Sequence, residues 1–181
     1  MCLSGLTQII YGVVMTGTAI LTAAALFTPS WSTVENTVNS GDIKSADLNG
    51  LMPWSCVDHS SGDTCTNWWA NLATWLRVVV VCMCLALIIQ IVAVLWNILT
   101  CLSCCCKKYI IHPLTILALL STIFLLISVV VYAAEYSGAH QKINTSTQLG
   151  YSYWLSVAAL ILSAADVVFG TIAVFFGEHC C

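Results

Sequence analysis

The residue type with the most chemistry to offer in this chain is cysteine, at 11 of 181 positions. Cys56 and Cys65 stand as a pair, with Gly62-Asp63 as turn material between them. That spacing suits a disulfide in an oxidising compartment, and a bridge there would stabilise its loop by roughly 2–3 kcal/mol in the chain-entropy model. Cys101, Cys104, Cys105 and Cys106 crowd beside Lys107-Lys108, and Cys180 and Cys181 stand together further on. A metal site would draw on Cys101, Cys104 and His112, but structural zinc usually takes two ligand pairs separated by a loop. Adjacent cysteines at a helix end point in divergent directions, and juxtamembrane S-acylation fits both groups better. Asn144-Thr145-Ser146 is a glycosylation sequon.

The acidic residues offer a second kind of chemistry. Glu35, Asp42, Asp47, Asp58 and Asp63 stand against Lys44 alone, so 5 acids less 1 base leave this stretch at −4. One reading is a solvated surface, and the other is a field that favours cations. Asp58 beside His59 suggests acid–base work, but the stretch reads as an exposed acidic loop. His59, His112, His140 and His179 are scattered, with no spacing that joins two as ligands on one helix. No glycine-rich phosphate loop is present. The chain reads as a non-enzyme that uses no cofactor.

What must position these residues is a membrane bundle. Apolar residues make up 60% of the chain and charged ones only 7%, against about 25% charged in a soluble domain. With a mean hydropathy of +0.94, this excludes an ordinary soluble enzyme, a nucleic-acid binder and a disordered tail. Four apolar blocks, at residues 6–27, 76–102, 114–134 and 153–176, each reach the roughly 20 residues that cross a bilayer core. Backbone groups in lipid must pair internally, so these blocks are helices. Ala23-Ala24-Ala25 resembles a cleavage site, but Met1 to Gln8 lacks the basic stretch of a signal peptide, so the first block reads as a retained helix. The expected fold is mainly α. One tetraspan domain over residues 1–181 holds a left-handed antiparallel four-helix bundle under a small extracellular antiparallel β-sheet.

Asp166 is the one acidic residue inside a block. Counted from the same side of the membrane, it lies about as deep as Gln90, Ser121 and Thr16, ~20 Å in at 1.5 Å per residue. These four are expected to form a buried polar layer of interhelical hydrogen bonds, while an ion- or proton-coupled role for the carboxylate is the alternative. Ala159 and Ser163 form a small-xxx-small pair suited to close packing.

Four spans place both termini on one side. Lysine counts nearly tie, with Lys107 and Lys108 in the short middle loop against Lys44 and Lys142 in the other two. The density of the middle pair, the thiols beside it and the position of the sequon all favour cytoplasmic termini. A large extracellular loop then covers residues 28–75 and a second covers 135–150. In the large loop, Trp31 to Val34 reads as a strand, Asn49-Gly50 as a hairpin turn and Leu51 to Cys56 as a further strand. Thr66-Asn67 can cap a helix carrying Trp68, Leu72 and Trp75.

Trp31, Gly50-Leu51, Cys56, Cys65 and Arg77, in this order on four helices with a large first loop, resemble the claudin superfamily. Leu149 to Trp154 looks like the start of that family's fourth helix. The resemblance covers essentially the whole chain. It departs at Met52-Pro53-Trp54, where the motif tryptophan is displaced by two positions, and in the ending Glu178-His179-Cys180-Cys181, which differs from the hydrophobic scaffold-binding motif of many claudins. The resemblance implies a plasma-membrane protein that forms cell–cell barriers or paracellular channels, with itself or related tetraspan proteins as partners in cis and trans. Asp58 and Asp63 then stand where such proteins place charge-selecting residues. It also implies a further strand around Ile143, a Trp31 sheltered near the disulfide, and an Arg77 that reaches the loop or pairs with Glu135. The wider superfamily supplies the alternative of an auxiliary subunit packed against a channel or receptor. No nucleic acid is expected as a partner; membrane lipid is.

Overall fold

The computed structural model describes residues 3–28, 31–33, 51, 65–66, 69–70, 72–102, 112–141 and 148–179. Four long helices carry it: α1 (Leu3–Phe27), α2 (Thr74–Leu102), α3 (His112–Gln141) and α4 (Tyr151–His179). Each contains a stretch long and apolar enough to cross a membrane: Gln8–Phe27, Thr74–Thr100, Pro113–Glu135 and Tyr151–Ile172. Pro113 sits where a helix start tolerates it, because its missing N–H would be unpaired there anyway.

The helices form a ring in which α1 packs on α2 and α4, and α3 packs on the same two. Their direction alternates. The start of α1 touches the start of α3, where the Tyr11 hydroxyl donates to the Leu114 carbonyl at 2.9 Å. It also touches the end of α2, where Gly12 lies against Asn97. The end of α4 meets the start of α3, and a Cβ at Gly170 would stand 3.0 Å from Thr115 Oγ1. Glycine lets the α3 backbone approach closely at Gly170 and leaves room for the Asn97 side chain at Gly12.

Sequence expectation and structure differ most at α3. The apolar block ends near Ala134, but the helix continues to Gln141. Residues 135–141 are less apolar but contain no proline, and the helix continues through them despite Gly138, so hydropathy marks where the helix leaves the apolar region and not where it stops. The second loop is correspondingly shorter. The helix expected from Trp68 to Trp75 is also interrupted. Residues 65–66 and 69–70 are helical, Leu72 forms a bend, and Trp75 belongs to α2.

A short antiparallel pair joins β1 (Ser32–Thr33) to β2 (Gln148–Leu149), with Ser32 opposite Leu149 and Thr33 opposite Gln148. It ties the chain leaving α1 to the chain entering α4. Val34, most of the Leu51–Cys56 segment and Ile143 lie outside the described residues.

The interior mixes apolar and polar side chains, with Met15, Leu26, Met83 and Leu125 among the most fully buried. Thr18, Thr22, Gln90, Ser121, Ser128, Ser163 and Asp166 are buried, while Val13, Ile20, Ile88, Leu95, Leu126 and Ile161 lie exposed around the outside. Lipid tails are as apolar as leucine, so burying leucine gains little here. Close packing of small residues and interhelical hydrogen bonds hold the bundle instead.

Candidate functional site

Two clusters could serve function, and the first sits at the strand-bearing end. Trp31 follows the last turn of α1, whose final carbonyls have no partner within the helix. Its indole Nε1 donates to the Ala25 carbonyl at 2.8 Å, and its own carbonyl accepts from Gly150 N at 3.0 Å. The Ser152 hydroxyl donates to the Thr28 carbonyl at 3.1 Å. The start of α4 and one tryptophan thus cap the end of α1.

Tyr132 of α3 is the hub of this cluster. Its ring lies 4.9 Å from that of Trp31, 5.8 Å from that of Trp75 on α2 and 5.8 Å from that of Tyr153 on α4. Leu51 is buried against the same core, so an otherwise distant part of the first loop is anchored there too. Arg77 does not pair with Glu135; both lie among the described residues and no ion pair joins them. Its Nε donates to the Leu72 carbonyl at 3.0 Å and its Nη2 to the Ala70 carbonyl at 2.9 Å, with the guanidinium 5.8 Å from the Trp69 ring centroid. The planar donor fork clamps the end of the loop onto the start of α2.

The second cluster is the polar layer at mid-bundle. Asp166 is fully buried, and Thr18 Oγ1 faces its Oδ2 at 3.5 Å. Ser163, one turn away on α4, meets Ser121 and Thr122 of α3, each at 2.8 Å. Gln90 is fully buried as well, with neither amide atom hydrogen-bonded. Thr16 does not belong here. It is exposed and donates to the Gly12 carbonyl one turn back at 2.7 Å. Depth alone suggested it, but residues two apart on a helix point about 200° from one another, so Thr18 takes the inward place. Among the described residues, no three His, Cys, Asp or Glu side chains converge as metal ligands.

The profile of one family, described as tight junction protein, claudin-like, matches the chain over residues 1–181. This chain belongs to that claudin-like family. No curated protein matches it. It is therefore a claudin-like multi-pass membrane protein, and of the positions on which the sequence resemblance rests, the described residues include Trp31, Leu51 and Arg77. Gly50 and Trp54 lie outside them, as do Cys56, Asp58, Asp63 and Asn144, and so do Cys104, Cys105, Cys106, Cys180 and Cys181. Cys65 is described and is disulfide-bonded. Cys101 lies in the last turn of α2.

Tyr132 was not evident from the sequence of this claudin-like chain. It stands in an apolar run where an aromatic residue reads as part of an interfacial belt. Only the convergence of three other rings gives it a separate part. Thr18 was missed for the reason that admitted Thr16.

Proposed function

We propose that this claudin-like protein joins neighbouring cells, forming a barrier or a paracellular channel through its extracellular surface. The observation that carries the reading is the Tyr132-centred junction. It fastens the start of the first loop, Leu51 and the end of the second loop to all four helices at one end of the bundle. A surface that holds another cell must transmit load to its membrane anchor, and a rigid aromatic root does so. The same surface contacts copies of itself or related tetraspan proteins in cis and trans.

In this reading both termini face the cytoplasm and the loops face outward, joined into a larger sheet. Cys56 bridges Cys65 outside. Acylated thiols at Cys101, Cys104, Cys105, Cys106, Cys180 and Cys181 hold the inner face to the leaflet, where two lipid signals anchor better than one. Asp58 and Asp63 bias the path between cells toward cations.

Expression in cells that lack junctions of their own tests this. The protein should gather at cell–cell contacts only where both neighbours express it, and should purify in mild detergent as assemblies of itself. Even distribution over the cell surface, with a stoichiometric channel or receptor in the purified material, would replace this reading with the auxiliary-subunit one.

A further inference from the structure

A groove of about 660 Å³ opens between α1 and α2 at the end of the bundle away from the strands. Gln8, Gly12, Val13, Gly17, Val94 and Asn97 line it. The volume falls within the range of small-molecule sites, about 300–1,000 Å³. Gln8 lies two residues into the apolar block 6–27, and Asn97 lies five residues before the end of the block 76–102. One end of the groove therefore sits at the boundary between lipid and water. From there it runs inward past Gly17, nine residues beyond Gln8 and ~14 Å deeper. A Cβ at Gly17 would meet nothing within 4 Å, so the groove is open there.

Its polar end is unusual. Gln8 is 6% exposed and Asn97 8% exposed, yet Gln8 Nε2 and Asn97 Oδ1 have no hydrogen-bond partner. One is a donor and the other an acceptor. Neither atom reaches the surface as the groove stands, but a terminal amide torsion is broad and soft, so a small turn presents both. Hydrocarbon satisfies neither atom. A phospholipid ester accepts only, and would leave Asn97 Oδ1 unpaired. A hydroxyl both donates and accepts.

We propose that this groove binds a membrane sterol, its hydroxyl set between Gln8 and Asn97 and its rigid ring system lying along Val13 and Gly17 toward the bilayer centre. The hydroxyl of a sterol stays at the lipid–water boundary while its rings run inward, which matches the depth of the two amides and the direction of the groove. Gly17 suits a flat ring face, and Val13 and Val94 supply its apolar walls. This inference is independent of the junction reading.

The test uses the full-length protein in lipid nanodiscs with a sterol carrying a ring diazirine. Illumination should label peptides from the facing parts of α1 and α2. Unlabelled parent sterol should compete, and a steroid hydrocarbon lacking the hydroxyl should compete ~tenfold less well, the loss expected for about one hydrogen bond. Gly17→Leu projects a side chain into the open part of the groove and improves helix propensity, so the bundle should fold and labelling should fall at least as far. Gln8→Leu with Asn97→Leu should abolish the preference for the hydroxyl. Four results would overturn the proposal. The hydrocarbon and the sterol compete equally, which would mean the amides pair with water or each other. Gly17→Leu labels like the parent, or labels spread evenly over all lipid-facing surfaces. A Gly17→Cys variant forms a disulfide-linked dimer of the chain on mild oxidation, which would make the groove a helix-docking face.

Discussion

Replacing Trp31 tests whether the aromatic junction roots the loops. Trp31 is 7% exposed, so Trp31→Ala removes nearly the whole buried indole. Such truncations cost about 3–5 kcal/mol, including the cavity left behind. The 2.8 Å bond to the Ala25 carbonyl and the 4.9 Å contact with Tyr132 fall within that total. Trp31→Phe keeps a ring against Tyr132 but loses the N–H, leaving a helix-end carbonyl unpaired at a cost of about 1–2 kcal/mol. For a chain of this length each kcal/mol moves the melting temperature by about 2–4 °C. The melting temperature in mild detergent, followed by size-exclusion elution after heating, should therefore fall by about 6–20 °C for the alanine variant and about 2–8 °C for phenylalanine. Trp154→Ala is the control, because Trp154 is 59% exposed, and it should change little. An alanine variant that melts with the parent would refute the junction. Equal losses for alanine and phenylalanine would assign the whole effect to the indole N–H and none to ring packing.

Asp166→Asn keeps the shape and an acceptor for Thr18 while carrying no charge, so surface delivery and stability should stay within about 1 kcal/mol of the parent; complete loss of either would show that an ionised carboxylate is required. Arg77→Ala removes both carbonyl clamps and should lower surface delivery more than Lys142→Ala, with Arg77→Lys between them because an ammonium lacks the planar fork; surface biotinylation reads the order, and equal effects at positions 77 and 142 would contradict it. Non-reducing peptide mapping should recover Cys56 linked to Cys65; Cys65 joined to any other cysteine would refute that pairing and weaken the assigned orientation.

The four spans were legible because a bilayer imposes a length and an apolarity that a sequence displays directly. Their ends were less so. Helical hydrogen bonding continues past Ala134 through Glu135 to Gln141, and hydropathy does not register it. The polar layer was half legible. Depth is a linear count along the chain, so Gln90, Ser121 and Asp166 were found. Which side of the helix faces inward depends on the packing of the other three, and every face of these helices is apolar enough that sequence alone gave Thr16 in place of Thr18. Trp31, Leu51 and Arg77 stood out through the resemblance to the claudin superfamily. Tyr132, which holds Trp31 and its neighbours together, did not, because its part depends on residues from three other elements meeting at one point.

The measurement that bears most directly on the proposed function is the resistance and ion selectivity of an epithelial layer that lacks its own junction-sealing proteins and expresses this one. The account predicts that the protein changes resistance across the layer and favours cations. Asp58→Asn with Asp63→Asn should lower the cation-to-anion permeability ratio, most clearly at low salt, where carboxylate fields are least screened. The contradicting result is a layer indistinguishable from untransfected cells, with a permeability ratio the same for parent and variant at every salt concentration.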